Sequence, residues 1–116
     1  MMVRFTTSVS VIAFLAAAVP AQAQSPELVA KGQAVYAAQK CSMCHSIEGK
    51  GQAKSPLDDV GGKLKVEDIR EWIVNPAKMA KDHNATRKPV MKAYSNLPKE
   101  DLEALVAYMA SLKKKK

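Results

Sequence analysis

The stretch Cys41-Ser42-Met43-Cys44-His45 brings two thiols and one imidazole into five consecutive residues, and it contains both cysteines of the 116-residue chain. On a helical path Cys41 and Cys44 lie about one turn apart, and His45 falls on the same side. A single flat ligand could then meet both sulfurs at its edge and the imidazole near its centre. The chemistry of this stretch therefore decides what the rest of the chain is folded around.

Four chemistries use cysteine and histidine at such spacing. A zinc site needs four ligands, and the distant His83 is the one other histidine in the sequence. A redox dithiol belongs in a βαβ setting, and we find no convincing strand pattern. A disulfide across two residues leaves His45 unexplained. Cys-x-x-Cys-His is the attachment signature of c-type haem, so the motif favours one haem c bound through two thioethers, with the other three left as alternatives.

The N-terminal segment has the pattern of an export signal. Arg4 precedes an apolar stretch from Phe5 to Val19, and Ala21-Gln22-Ala23 gives the small-x-small pattern of a cleavage site. A membrane span needs about 20 apolar residues, so an uncleaved anchor is the weaker alternative. We predict a signal peptide over 1–23, a single domain over 24–116, a periplasmic location and no stable membrane insertion after cleavage.

Charge and composition narrow the possible partners. The whole chain carries a formal charge of +7, and cleavage after Ala23 would remove one basic residue, Arg4. A basic exported protein is a poor candidate for nucleic-acid binding and fits an acidic protein partner or an anionic membrane face better. Both phenylalanines lie in the predicted signal peptide, and small domains with thin cores often recruit a cofactor.

Helical patterns dominate the remainder. Ser25-Pro26-Glu27 has the residues of a helix start, and Gly32 on the inner face of that helix would allow close approach of another helix. Further helices are predicted over Val66–Asn75 and about Pro98–Leu112, with one or two turns over Pro76–Asp82. The segments Ser46–Lys65 and His83–Asn96 are predicted to be mostly loops. The fold class is therefore all-α, with three main helices and long connecting loops.

Several short segments carry a family resemblance beyond the Cys-x-x-Cys-His motif. They are Gly32 and Tyr36, Ser55-Pro56-Leu57, Trp72-Ile73-Val74-Asn75-Pro76, Pro89-Val90-Met91 and Leu105-Val106-Ala107-Tyr108-Met109. With these segments the chain resembles small bacterial monohaem c-type cytochromes over nearly its full length after residue 23. The resemblance implies a cytochrome c-like fold, in which N- and C-terminal helices cross near Gly32 and Tyr36 and one covalent haem is enclosed. Lys92 departs from the family, which often has proline after the methionine.

The resemblance also implies a ligand set. Cys41 and Cys44 would bind the haem, His45 would be one axial ligand, and a backbone carbonyl in the loop containing Pro56 would orient its imidazole. Met91 occupies the position of the sixth ligand in the resembled family.

Other methionines and a histidine are alternatives for the sixth ligand. Met79 and His83 remain open. Met43 lies inside the attachment turn and is badly placed, and Met109 belongs to the apolar stripe of the last helix. The metal ligands predicted from the sequence are therefore His45 and Met91.

The expected function is single-electron transfer by a soluble exported carrier that is not an enzyme. Alternatives are a haem subunit of a larger periplasmic oxidoreductase, a haem sensor or enzyme with a labile sixth ligand, and a thiol–disulfide oxidoreductase. The expected partners are redox proteins with acidic docking surfaces. The lysines that flank the predicted haem loops are Lys54, Lys63, Lys88 and Lys92.

Overall fold

A computed structural model of the protein describes residues 25–114. The predicted signal peptide over 1–23 lies outside these residues. In chain order the elements are α1 (Pro26–Ala38), a turn of 3₁₀ helix (Cys41–Met43), β1 (Ser46–Ile47), β2 (Lys50–Gly51), α2 (Val60–Lys63), α3 (Val66–Val74), α4 (Pro76–Asp82) and α5 (Lys99–Ser111). Each strand has two residues, so the all-α prediction is confirmed.

Helices α1 and α5 form the main helix pair. α1 begins as predicted: the Ser25 Oγ accepts a hydrogen bond from the Leu28 N–H at 3.3 Å, and Pro26 takes the first helical position. A Cβ built on Gly32 would collide with the carbonyl oxygen of Ala104 in α5. The predicted close approach of a second helix at Gly32 is therefore confirmed, because only a residue without a side chain fits there.

Helix α3 contributes the third side of the core. Its apolar face buries Ile69 and Ile73, and its first turn carries the acidic residues Glu67 and Asp68. The helix ends before Asn75, where Pro76 begins α4, as proline favours the first helical turn and disfavours a helical residue before it. Pro76 is fully buried, and the other buried hydrophobic residues of the described chain are Val35, Ile47, Ile69, Ile73, Met79, Ala104, Leu105, Val106, Ala107, Met109 and Ala110.

The segment Ser46–Lys65 differs from the predicted loop in two places. β1 and β2 pair in an antiparallel hairpin whose turn places Glu48 at φ 51° and Gly49 at φ 78°. Two-residue strands are too short to show the alternation that predicts a strand from sequence.

The second difference is the short helix α2, which contains Gly61 and Gly62. A Cβ on Gly61 would collide with the carbonyl oxygen of Ala110, and the Gly61 N–H donates to the Leu112 carbonyl at 2.9 Å. Contact with the end of α5 therefore stabilises a helical turn that glycine disfavours by itself.

Within residues 25–114, no helix combines the length and apolar character that crossing a bilayer requires.

Candidate functional site

The Cys-x-x-Cys-His motif forms a compact turn at the end of α1. Lys40, at φ 56°, takes a left-handed conformation that stops the α-helix. A single 3₁₀ turn follows, in which the N–H groups of Cys44 and His45 both donate to the Cys41 carbonyl, at 3.1 and 3.0 Å. The helical path assumed from sequence is thus broken at Lys40, but residues three apart in a 3₁₀ turn still share one side.

A cavity of about 340 Å³ lies beside this turn. Cys41, Cys44 and His45 all contribute to its wall. The remaining wall is mostly apolar and comes from α1, the 55–64 segment, α3, α4, the 85–91 segment and α5: Tyr36, Ser55, Leu57, Val60, Leu64, Ile69, Trp72, Ile73, Pro76, Ala80, Ala85, Arg87, Pro89, Val90, Met91, Leu105 and Met109. Every main helix thus faces this cavity, and its apolar wall suits a large apolar ligand.

His45 is held by Ser55. Its Nδ1 lies 3.3 Å from the Ser55 carbonyl oxygen and 3.0 Å from the Ser55 Oγ. A carbonyl oxygen only accepts, so the Nδ1–H is the donor and the Nε2 lone pair is free to bind a metal. The resemblance pointed to a carbonyl in the Pro56 loop, and the structure assigns this role to the residue just before Pro56.

The electrostatics at His45 favour the neutral ring. Burial lowers the pKa of His45, the hydrogen bond to the Ser55 backbone raises it, and the nearby Arg87 cation lowers it again, with a net decrease. A neutral imidazole is the form that ligates a metal. His45 is therefore oriented by Ser55, and its surroundings favour the neutral form that can bind a metal ion.

The two thiols sit at different depths. Cys44 is exposed, whereas Cys41 is partly buried. Neither cysteine forms a disulfide bond. Burial, with a smaller contribution from Cys44, raises the pKa of Cys41 to about 11. A redox dithiol reacts through a thiolate, and burial disfavours the thiolate form of Cys41. Among the described residues, no group of three or more His, Cys, Asp and Glu side chains is arranged to hold an ion.

The candidates for the sixth ligand lie in different places. Met91 is half-buried and lines the cavity. Met79 is buried, at 4 % exposure, but it is not among the residues that line the cavity. The exposed His83 packs its ring 5.9 Å from the ring centre of Trp72. Met43 is 72 % exposed, and Met109 is a core residue that also reaches the cavity.

Comparison with known proteins identifies the family. Residues 29–113 match the family described as "Cytochrome c". The chain belongs to the cytochrome c family. Membership carries two consequences: electron transfer is the general activity, and haem c, bound covalently, is the cofactor. It also confirms the cytochrome c-like fold predicted from the resemblance.

One curated relative shares this domain. The chain is 32% identical over 95 residues to a protein named "Cytochrome c oxidase subunit 2" from Alkalihalophilus pseudofirmus, a match that covers 74% of this chain. The chain spans only 26% of that relative's length. No solved structure matches the chain significantly.

The cavity of this cytochrome c domain fits haem c by its own chemistry. Two cysteines and a histidine border an apolar space. Tyr36 also lines this space, and its hydroxyl is buried without a hydrogen-bond partner among the described residues. Burial is also the main reason why the pKa of Tyr36 is raised to about 12. An unpaired buried hydroxyl is costly, so a bound group or a water molecule that accepts its proton would stabilise the cavity.

Sequence reasoning missed two residues of the site. Ser55 lies in one of the segments that carry the resemblance, and a serine beside Pro56 offers both a carbonyl and a hydroxyl. Arg87, which lines the cavity and donates to the Cys44 carbonyl at 2.8 Å, gave no signal in the sequence beyond its place in the loop before Met91.

Proposed function

We propose that this cytochrome c domain is an exported monohaem electron carrier, in which Cys41 and Cys44 would hold haem c and His45 and Met91 would bind its iron. One observation carries the proposal: all four residues line the same apolar cavity. His45 and Met91 reach it from separate segments of the chain, the attachment turn and the loop before α5. Two ligands from separate segments are what an iron enclosed by the protein requires.

Each residue has a defined task. Haem c, when bound, supplies an iron that takes up and releases one electron at a time. Cys41 and Cys44 would fix the group to the chain through thioether bonds, and Ser55 keeps the imidazole of His45 oriented. Met91 would provide a thioether sulfur, a soft ligand that favours the reduced state and raises the potential. The apolar walls exclude water and so limit solvent reorganisation around the site.

Catalysis is not part of the proposal. With His45 and Met91 both bound, the protein leaves no position at the iron for a substrate. The domain would therefore exchange electrons with other proteins and make or break no substrate bond.

The proposed partners are redox proteins with acidic surfaces. Met43 and Val90 are exposed apolar side chains, at 72 % and 49 % exposure. Val90 borders the cavity, and Arg87, Lys88 and Lys92 are exposed beside it in the sequence. A small apolar contact surrounded by cations suits short-lived docking with an acidic partner. Export to the periplasm is part of the proposal and is supported by the sequence pattern of residues 1–23.

A second candidate function is supported by the relative. A protein named as an oxidase subunit contains a region similar to this chain, and this similarity supports a role for the domain as the haem subunit of a larger oxidoreductase. The two functions differ in what accompanies the protein in the cell. Gel filtration of gently solubilised cells, followed by haem staining, separates them: a carrier elutes at the size of the single chain, and a subunit elutes with a large complex.

The ligand assignment is tested by visible spectra. Ferric holoprotein should show the thioether-to-iron charge-transfer band, and Met91→Ala should abolish it while leaving haem attached. Met79→Ala is the matched control, because it removes a buried thioether that does not line the cavity and should leave the band. A band that survives in Met91→Ala would refute Met91 as ligand. Rapid carbon monoxide binding by the reduced wild-type protein would favour a sensor or an enzyme.

A further inference from the structure

The segment that contains Met91 has few hydrogen bonds to the rest of the protein. Across the described part of the chain, residues 86–93 take part in no backbone–backbone hydrogen bond. The backbone is fixed immediately outside this segment: the Ala85 N–H donates to the Ala80 carbonyl at 2.8 Å, and the Tyr94 N–H donates to the Ile73 carbonyl at 2.9 Å. Segments with few hydrogen bonds are the ones that open most readily.

One side chain in residues 86–93 forms a hydrogen bond to a distant part of the chain. The Arg87 Nη2 donates to the Cys44 carbonyl oxygen at 2.8 Å, across 43 positions of sequence. Among the described residues, that carbonyl accepts no backbone N–H, so Arg87 is its hydrogen-bond partner. The bond connects the Met91 segment directly to the attachment turn.

We propose that Arg87 is a positioning residue that holds the Met91 segment closed against the attachment turn and so limits how often Met91 leaves the iron. The proposal rests on Met91 being the sixth ligand, as proposed above. Because Arg87 precedes Met91 by only four positions, fixing Arg87 limits how far Met91 can move away from the cavity. A hydrogen bond from a charged donor is about twice as strong as a neutral one, so its loss favours opening.

The Arg87 guanidinium also carries a positive charge, and the experiment must separate the effect of this charge from that of the hydrogen bond. Its charge lies near enough to His45 to disfavour protonation of that ring, so it also acts on the iron site through space. Arg87→Leu removes both the hydrogen bond and the charge and keeps an apolar stem. Measuring the variant and wild type at low salt and at about 1 M salt separates the two effects, because salt screens a through-space effect of an exposed charge but leaves a direct hydrogen bond largely in place. Lys88→Leu removes the neighbouring exposed charge and serves as the matched control.

Imidazole is the probe of opening. It replaces the Met91 sulfur on ferric iron once the segment has opened, and at saturating imidazole the observed rate equals the opening rate. Loss of the thioether charge-transfer band in a stopped-flow instrument reports this rate without any redox partner. The exposed positions of Arg87 and Lys88 allow both variants to be made without disturbing the core.

The expected result is an opening rate about tenfold higher in Arg87→Leu, a ratio that corresponds to the lower end of the range for a hydrogen bond to a charged group. The ratio of the two rates should persist at about 1 M salt, and Lys88→Leu should match wild type. Equal rates in Arg87→Leu and wild type would overturn the proposal, as would a ratio that disappears at high salt, which would assign the effect to charge alone. A wild-type protein that lacks the thioether band would instead refute Met91 as ligand, and the proposal with it.

Discussion

The carbonyl oxygen of Ala104 in α5 lies where a Cβ on Gly32 of α1 would stand. The Cβ of Tyr108 would also be only 2.6 Å from such an atom. Tyr108 in turn packs edge-to-face on Tyr36, with ring centres 5.8 Å apart. This crossing joins the two terminal helices, and Tyr36 connects it to the wall of the cavity.

Gly32→Ala should destabilise the protein by about 2 kcal/mol or more, because the added methyl group meets backbone that cannot rotate away. Chemical denaturation of the holoprotein measures this loss as a lower midpoint. Gln33→Ala is the control: it changes an exposed neighbour on the same helix and should shift the free energy of unfolding by no more than about 0.5 kcal/mol. A stable Gly32→Ala protein would mean that the helices cross farther apart than described.

The ion pair between α3 and α5 predicts a pH-dependent stability. Arg70 binds Glu103 through two nitrogen–oxygen contacts of 2.9 and 2.8 Å, and this pairing lowers the pKa of Glu103 below its usual 4.5. The stabilisation is therefore present above the unfolded-state pKa and is lost as the pH falls through the lower folded-state pKa. Since both side chains are about one-third exposed, the contribution is small, ~0.5 kcal/mol.

Urea unfolding of wild type and Glu103→Gln at two pH values measures this contribution. Glu103→Gln should be less stable than wild type at pH near 7, and the difference in free energy of unfolding should disappear near pH 3. Glu71→Gln, at an exposed position of α3 that is without an ion pair among the described residues, should show no comparable difference. If the difference in free energy of unfolding between wild type and Glu103→Gln persists at low pH, the carboxylate charge is not its source.

The Ser55 hydroxyl offers a test of how His45 is held. Ser55→Ala removes the 3.0 Å contact of Oγ with the imidazole Nδ1 and leaves the backbone carbonyl in place. A weaker hydrogen bond at Nδ1 makes the imidazole a poorer donor to ferric iron. The reduction potential should therefore rise by about 20–40 mV, which corresponds to half to one kcal/mol in a one-electron couple.

Ser42→Ala is the control for this shift, because it removes an exposed hydroxyl from the attachment turn. Its potential should stay at the wild-type value. A fall in the potential of Ser55→Ala would contradict the assignment of Nδ1–H as donor.

The helices could be predicted because their signals are local. Ser25 and Pro26 mark the start of α1, and Pro76 separates α3 from α4, so these boundaries follow from capping and backbone geometry. The position of Gly32 also predicted a close approach, although not its partner Ala104, because that partner depends on tertiary packing.

The missed features depend on contacts between distant parts of the chain. Gly61 lies in a helical turn because α5 covers it, and Arg87 finds the Cys44 carbonyl across a long loop. Lys40 takes its left-handed conformation where α1 meets the attachment turn. None of these residues has a local pattern that predicts its conformation, so no single-sequence argument could find them.

The central claim is that Cys41 and Cys44 bind one haem c per chain. The most direct test is the mass and haem content of the full chain, purified from a host that attaches haem c. The expected result is a coloured protein with one haem per chain by mass and pigment assay, whose haem stays with the polypeptide after denaturation. A Cys41→Ala, Cys44→Ala double variant should lose that covalent mass. Wild-type protein that is folded yet colourless, or that releases its haem on denaturation, would contradict the claim.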